Sequence, residues 1–360
     1  MAPVSCPNYD NFYMTDIFWA RYPFAASSQH SRDWLQIHAN LGSAPNTIDA
    51  YARALDDYFQ FCTSAEIEPE AVRKVDIAAY IQHLRQRSHP RGPKGNKSGL
   101  ASATIKQRLT IVRLYYDYLN EEEVCKCNPA RRGIGGNQKR YNHRGQRTRQ
   151  DLVVCPEKLP WIPNNEEWSA ILQAFKEEPF RNRLMFAFAY DGALRREEVC
   201  GIEIRDLNPA DFLLTVRAEV SKSYSDRIVP YSEETSALFL QYLSQRRQLS
   251  QAPGRLFLSE SRRNKAEPIS IWTWSKVIEG VAERSNVPQF TTHTLRHLRL
   301  TDLARDGCDL LSIAQLAGHR DVRTTQLYIH LSGREVAQAV QQGLNAIHSR
   351  RIKTMKEAWQ

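Results

Sequence analysis

His293-Thr-Leu-Arg296 opens the stretch that decides how this chain is interpreted, and Leu316-Ala-Gly-His319 and Tyr328 complete it. Gly192-Ala-Leu-Arg195, followed by Glu198, gives a matching signal upstream. Two arginine forks can bind the non-bridging oxygens of a phosphodiester, and two imidazoles can donate hydrogen bonds or move protons near neutral pH. A tyrosine hydroxyl, with a pKa of about 10, is a slow nucleophile that needs such surroundings. These residue types together predict a site that holds a phosphodiester while a phenol attacks it.

The same stretch resembles box II of the tyrosine recombinases, also called the phage integrase family. It reads His293-Thr-Leu-Arg296-His297, then Ala317-Gly318-His319, then Thr324-Thr325-Gln-Leu-Tyr328. The segment Leu194-Arg195-Arg196-Glu197-Glu198-Val199 resembles box I of the family. Lys222 matches the family's lysine, which lies between two short strands. Four ordered motifs at these separations form a specific signal, whereas one alone would be weak. Ala317 and the pair Leu298-Arg299 depart from the family pattern, but neither departure falls on a catalytic position. The resemblance extends from about residue 44 to residue 332.

Composition and charge favour a protein with a polyanionic partner. The chain has 360 residues and a formal net charge of +9. Its length favours two domains. The sequence contains neither a run of about 18 apolar residues nor the features of a signal peptide, so we expect no membrane association. Seven cysteines without a CxxC spacing predict reduced thiols rather than a zinc site. We therefore expect a cytoplasmic, nucleoid-associated protein without a metal or a cofactor.

Helical periodicity and changes of composition divide the chain into five segments. We expect an N-terminal extension (1–43), a helical core-binding, SAM-like DNA-binding domain (44–130), a basic interdomain linker (131–160), a catalytic domain (161–335) and a C-terminal tail helix (336–360). Two short β-rich runs, 212–216 and 226–230, are predicted to pair. The predicted fold class is therefore mainly α with a small β-sheet. The family resemblance implies that the helical domain and the mixed α/β catalytic domain form a C-shaped clamp.

The linker is predicted to bind DNA. It carries many basic side chains and no acidic one between residues 130 and 150. The basic residues are Arg131, Arg132, Lys139, Arg140, Arg144, Arg147 and Arg149. A solvated loop is the alternative interpretation, but between two DNA-binding domains we favour contacts to phosphates of the duplex.

The resemblance also implies a role for each catalytic position. The catalytic residues would be Arg195, Lys222, His293, Arg296, His319 and Tyr328. The arginines and histidines would stabilise the charged transition state, Lys222 would protonate the leaving 5′ oxygen, and Tyr328 would form a 3′-phosphotyrosyl link. Of the residues next to them, we interpret Arg196 as a solvated charge and His297 as a structural residue that points away from the site.

The expected function is that of a site-specific DNA recombinase of the integrase or transposase type, acting without metal or ATP. The family resemblance implies a homotetramer on two synapsed duplexes, with the C-terminal tail docked in trans. The N-terminal extension and an inserted basic loop at 89–99 favour a mobile-element enzyme. Two alternatives stay open: a type IB topoisomerase, and a sequence-specific DNA-binding protein whose site no longer cuts. The target DNA sequence does not follow from the chain.

Overall fold

The chain forms two compact units, Met1–Glu157 and Lys158–Gln360. The computed structural model describes residues 17–87, 99–131, 152–153, 155, 159–331, 351–352 and 354–359. Both units are mainly helical, and one small sheet of three strands lies in the second unit. The predicted fold class, mainly α with a small β-sheet, is therefore confirmed, whereas the predicted clamp stays a prediction. No helix in the described ranges has the length and apolar character needed to cross a membrane.

The first unit is a helical bundle with an aromatic core. Its helices are α1 (Pro23–Ser27), α2 (Gln29–Asn40), α3 (Pro45–Ser64), α4 (Lys74–Gln86) and α5 (Ser102–Glu121). Pro45 opens α3, where its missing N–H leaves no hydrogen bond unmade. Tyr58 and Tyr116 are buried and join their hydroxyls at 2.8 Å. Trp34, from the segment predicted as an extension, packs in the same core.

The second unit contains the motifs of the predicted catalytic domain. Its elements are α6 (Asn165–Phe175), α7 (Phe180–Asp191), α8 (Arg196–Gly201), β1 (Leu207–Asn208), β2 (Leu213–Val216), β3 (Arg227–Pro230), α9 (Glu233–Leu249), α10 (Ile271–Arg284), α11 (Thr292–Arg305), α12 (Leu310–Ala317) and α13 (Arg323–Leu331). Helix α7 is buried through Leu184, Met185 and Phe188 at the centre of the core. This packing places the turn after α7, which carries Arg195, beside the later helices.

The sheet is antiparallel in the order β1-β2-β3, with Leu214 opposite Val229. Strands β2 and β3 each begin one residue after the predicted start. Phe212 adopts a left-handed backbone conformation (φ 54°), so it belongs to the turn before β2. Asp226 accepts a hydrogen bond from the Ala218 amide at 2.6 Å and closes the β2–β3 connection. Lys222 therefore lies in the turn between two strands.

Candidate active site

Tyr328 lies in a small apolar pocket on α13. Its side chain is 3% exposed and packs in one cluster with Ala193, Leu300, Ile313 and Ala317. Its ring is parallel to that of His319, with an interplanar angle of 9° and 6.2 Å between the centroids. Burial raises the pKa of the Tyr328 phenol, whereas the nearby positive charges of Arg296 and Arg195 act in the opposite direction. The hydroxyl is therefore neutral at rest, and the two arginines are the groups that favour its anion.

Arg296, on α11, connects the separate segments of the site. Its side chain donates to the carbonyl oxygens of Ala193 at 2.7 Å and Ala317 at 2.6 Å. Its Nη2 also lies 2.9 Å from Nε2 of His319. Burial, together with the charge of Arg195, lowers the pKa of Arg296 to about 10, so the guanidinium stays positive at neutral pH. A buried cation is thus held at the point where box I and box II meet.

His319 is fixed by its two ring nitrogens. Because a guanidinium has no acceptor, Nε2 must accept from Arg296, and the ring proton then sits on Nδ1. Nδ1 lies 2.8 Å from the hydroxyl oxygen of the buried Thr325 and donates to it. Burial and the neighbouring charges, first that of Arg296, lower the pKa of His319 to about 4. The resting imidazole is therefore neutral and has one defined tautomer.

The turn after α12 positions His319. Gly318 ends this helix in the left-handed conformation (φ 62°, ψ 46°), which glycine adopts without a steric penalty. A Cβ at this position would lie 3.1 Å from Nη1 of Arg227. The glycine therefore provides both the turn and the room for a neighbouring guanidinium.

Arg195 lies immediately before α8 and faces the same turn. Its Nη1 donates to Oε1 of Glu198 at 3.0 Å, and its Nη2 approaches the Gly318 carbonyl oxygen at 3.4 Å. The Arg195 amide also donates to Glu198 at 2.8 Å and caps α8. The side chain keeps 18% of its surface exposed, so some of its donors can reach a ligand.

Arg227 is a component of this cluster that the sequence reasoning missed. It donates to both carboxylate oxygens of the buried Glu198, at 2.6 and 3.0 Å. Its Nε donates to the carbonyl oxygen of Leu316 at 2.9 Å. The sequence feature that could have identified Arg227 is its position at the start of a strand, five residues after Lys222. Arg227 links β3, α8 and the end of α12, and so supports Arg195 and Gly318.

His293 and Lys222 lie closer to solvent. His293 is exposed near the start of α11, on the same helix as Arg296, with its ring 6.3 Å from that of His297. Lys222 is exposed and forms no hydrogen bond or ion pair with the described residues. Its neighbour Ser223 accepts from Arg320 through its carbonyl oxygen at 2.9 Å, which joins the Lys222 turn to the segment after His319. The structure thus brings Arg195, Arg296, His319 and Tyr328 together, and leaves the role of Lys222 a prediction.

Two residues beside the catalytic positions differ from our interpretation. His297 was expected to point away from the site, and this is wrong: its Nδ1 lies 2.9 Å from the Tyr328 hydroxyl. Arg196, expected to be a solvated charge, binds Glu197 at 2.8 Å and Ser275 at 3.2 Å. For His297, the helical spacing was misleading, because α13 packs over the part of α11 that carries this residue.

Of the predicted linker contacts, the structure describes Arg131 alone, and that side chain is exposed. Arg132, Lys139, Arg140, Arg144, Arg147 and Arg149 lie outside the described residues, as does most of the predicted tail helix. Their role in DNA binding stays a prediction.

Family comparisons agree with this geometry. The phage integrase family matches residues 163–335, and the N-terminal SAM-like domain of phage integrases matches residues 33–125. The SAM-like match lies within the first compact unit and the phage integrase match within the second, and the latter includes every predicted catalytic residue.

The chain belongs to the tyrosine recombinase family.

Curated relatives of this recombinase are similar along most of their length. Tyrosine recombinase XerC of Thermodesulfovibrio yellowstonii is 27% identical over 302 residues, which are 82% of this chain and 89% of the relative. Tyrosine recombinase XerD of Halalkalibacterium halodurans is 25% identical over 303 residues, which are 81% of this chain and 89% of the relative. The predicted enzyme class, a tyrosine recombinase, is thereby confirmed.

Solved structures share the fold of the recombinase. XerH site-specific recombinase bound to a palindromic difH substrate superposes with a TM-score of 0.63 at 18% identity, over 86% of this chain and 84% of that chain. A lambda integrase dimer bound to a COC′ core site gives a TM-score of 0.59 at 17% identity, over 83% of this chain and 93% of that chain. At these identities the likeness shows the fold.

Proposed function

We propose that this chain is a site-specific DNA recombinase that cleaves and rejoins strands through a 3′-phosphotyrosyl intermediate, without ATP. The observation that carries the proposal is the convergence of Arg195, Arg296 and His319 around the buried hydroxyl of Tyr328. A phenol in a site with two fixed cations is suited to attack an anionic diester, because the cations offset the charge that develops on the phosphate.

In this mechanism the arginine forks bind the non-bridging oxygens, and His293 and His319 donate further hydrogen bonds. Tyr328 gives its proton to a base in the site as its oxygen attacks phosphorus, the bond from phosphorus to the 5′ oxygen breaks, and Lys222 protonates the leaving oxygen. The phosphotyrosyl link keeps the bond energy, so a 5′ hydroxyl of another strand can reverse the step. His319 uses Nε2 to accept from Arg296 at rest. To donate to the phosphate from Nε2, His319 must therefore lose this contact and gain a proton at Nε2, which the negative charge of the bound diester favours.

Covalent capture tests the proposal without a known target. The full chain would be incubated with a library of randomised duplexes, each nicked so that the cleaved fragment diffuses away and the adduct persists. We expect adducts that survive denaturation, share a sequence and carry DNA on Tyr328. Tyr328→Phe should bind the captured duplexes and form no adduct. Adduct formation by Tyr328→Phe at the wild-type level would overturn the assignment of the nucleophile.

The same captured site separates the alternative activities. A recombinase exchanges strands between two copies of the site, whereas a type IB topoisomerase relaxes supercoiled plasmids that lack it. A silent DNA-binding protein yields no adduct at all. The similarity to XerC and XerD along most of the chain favours strand exchange.

For the biological role, we propose an integrase or transposase of a mobile element, on the basis of the N-terminal extension and the basic insertion at 89–99. A recombinase of the Xer type is the second candidate, favoured by the named relatives. Mapping the captured sequence in the source genome distinguishes them, because a mobile element carries such sites at its two ends. The place of action we propose is the cytoplasm, at the nucleoid.

The linker is proposed to contribute phosphate contacts. Replacing Arg140, Arg144 and Arg147 with Ala removes up to three charges from the segment. The slope of log K against log salt should then flatten by up to about 2.7 units. A slope equal to that of the wild type would assign these residues to a free loop.

The active assembly we propose is a tetramer on two synapsed duplexes, with the C-terminal tail docked onto a neighbouring protomer. Deleting residues 336–360 should leave binding to a single half-site nearly intact and reduce assembly into dimers and tetramers. Analytical ultracentrifugation of the DNA-bound truncated chain measures this directly. Undiminished tetramer formation would refute docking in trans.

A further inference from the structure

His297 contacts the hydroxyl of the nucleophile directly. Its Nδ1 lies 2.9 Å from the Tyr328 oxygen, and the two ring centroids are 5.8 Å apart. The imidazole is half-buried on α11, next to Arg296 in the chain. Within the described ranges, no other group accepts a hydrogen bond from the Tyr328 hydroxyl. The contact therefore determines where the phenolic proton can go.

The protonation states of the two groups decide which atom donates in this contact. Burial raises the pKa of the Tyr328 phenol, and the charges of Arg296 and Arg195 and a hydrogen bond from Arg296 act against that effect. Because burial outweighs these effects, the phenol keeps its proton at rest and can donate it. The hydroxyl donates this proton to His297 in the tautomer whose ring proton lies on Nε2 and whose Nδ1 accepts, and the proposal rests on that tautomer.

We propose that His297 is a further catalytic residue, which holds the Tyr328 hydroxyl and takes its proton as the oxygen attacks phosphorus. This inference rests on the proposed strand-cleavage function and adds the base to it. The new bond joins the Tyr328 oxygen to phosphorus while the phenolic O–H bond breaks and the proton moves to Nδ1. The bond to the 5′ oxygen breaks, and that oxygen takes a proton from Lys222. In rejoining, the imidazolium returns its proton to Tyr328.

Charge around His297 favours this role. Burial, with the charges of His293 and Arg296, lowers the pKa of His297 to about 4, so the resting ring is neutral and can accept. A bound phosphodiester would place a negative charge beside Arg296 and so offset one of the charges that lower the pKa of His297, whereas burial, the larger cause, stays in place. The base becomes stronger when the substrate is in place. His319 cannot replace it at rest, because both of its nitrogens are engaged.

Two substitutions separate holding the hydroxyl from accepting its proton. His297→Asn places an amide oxygen near the position of Nδ1, where it accepts a hydrogen bond but takes no proton. His297→Leu fills the space and offers no acceptor. Incorporation of 3-fluorotyrosine at position 328 makes the phenol more acidic and less dependent on a base. His319→Asn is the matched control, because a more acidic phenol does not replace a donor to the phosphate.

Single-turnover cleavage of the captured, nicked DNA provides the readout. His297→Asn should bind DNA like the wild type and cleave about 10²- to 10⁴-fold more slowly. His297→Leu should cleave no faster than His297→Asn. The fluorinated phenol should raise the rate of His297→Asn by about tenfold or more relative to its effect in the wild type, and should not rescue His319→Asn.

Three results would overturn the role of His297. They are wild-type cleavage by His297→Asn, wild-type cleavage by His297→Leu, and a fluorine effect of the same size in every background. A wild-type chain that forms no covalent adduct with any duplex gives a different outcome. That result rejects the strand-cleavage function itself, and the role of His297 with it.

Discussion

Arg227 and Glu198 form a bidentate ion pair in which the two terminal guanidinium nitrogens, Nη1 and Nη2, bind the two carboxylate oxygens at 3.0 and 2.6 Å. Glu198 is 1% exposed and also accepts from the side chain and the amide of Arg195. One buried carboxylate thus holds two arginines from different parts of the chain. The glutamate of box I therefore positions Arg195 and Arg227 against the turn that carries His319.

Glu198→Gln should destabilise the catalytic unit by about 3–5 kcal/mol at neutral pH, because it leaves two guanidinium groups without their counter-charge. Burial alone would raise the pKa of Glu198, but the hydrogen bonds and charges of Arg227 and Arg195 outweigh it, and the pKa is lowered. The stabilisation is therefore present above the carboxyl's unfolded pKa and is lost as the pH falls through its folded pKa.

Urea unfolding at pH 7 and at acidic pH measures this effect. The difference in the free energy of unfolding between the wild type and Glu198→Gln should become smaller in acid. Glu197→Gln is the control, because that carboxylate keeps 46% of its side chain exposed and pairs with Arg196. It should change stability by about 1 kcal/mol or less. If the difference in the free energy of unfolding between the wild type and Glu198→Gln does not change with pH, the ion pairs of Glu198 with Arg227 and Arg195 do not provide this stability.

Arg296→Lys and Arg195→Lys should both lose cleavage but differ in stability. Arg296 satisfies two carbonyl oxygens and His319 from a site that is 4% exposed. An ammonium cannot reproduce that geometry, and each acceptor left unpaired costs about 1–3 kcal/mol. Arg195→Lys should unfold close to the wild type. Thermal unfolding and single-turnover cleavage of both variants test this prediction. Equal stability of Arg296→Lys and Arg195→Lys would contradict it.

Thr325→Val should slow cleavage by about tenfold, which corresponds to a lost hydrogen bond of roughly 1.4 kcal/mol. The hydroxyl of Thr325 accepts the Nδ1 proton of His319, and without it the ring can rotate or change tautomer. Thr325→Ser should keep the rate. The exposed neighbour Thr324, changed to Val, is the matched control. Equal cleavage by Thr325→Val and Thr324→Val would show that the hydroxyl does not orient His319.

Gly318→Ala and Gly307→Ala should each cost about 1 kcal/mol of stability, because both positions have positive φ. Cleavage should fall only in Gly318→Ala, since its Cβ would press on Arg227 at 3.1 Å, whereas the space around Gly307 is open. Urea unfolding and adduct formation measure the two effects. Normal cleavage by Gly318→Ala would show that a shift of the Arg227 side chain does not affect cleavage.

Lys222→Ala should be rescued by a substrate with sulfur in place of the 5′ bridging oxygen, because a thiolate leaves without needing a proton. Arg195→Ala should show no comparable rescue, since its loss affects the phosphate oxygens. The ratio of cleavage rates on the sulfur and oxygen substrates is the measurement. An equal ratio for the two variants would move the role of general acid away from Lys222.

The sequence alone indicated the fold class and the family, because four short motifs follow one another in the order of the family pattern and their residue types suit one chemistry. Local signals also placed elements well. The β-rich runs around Leu214 and Val229 depend on a few neighbouring residues, so the sequence was enough to predict that they pair. The one-residue error at β2 came from the backbone of Phe212, whose positive φ has no clear sequence signal.

Tertiary structure decided the contacts between distant segments. Arg227 reaches Glu198 across 29 positions, and His297 reaches Tyr328 across 31. Helical spacing says which residues share a face, but not which neighbouring element covers that face. The direction in which His297 points is set by the packing of α13 over α11. Its charge state is set first by burial, and then by the charges of His293 and Arg296 on its own helix. The burial exists only once the chain has folded.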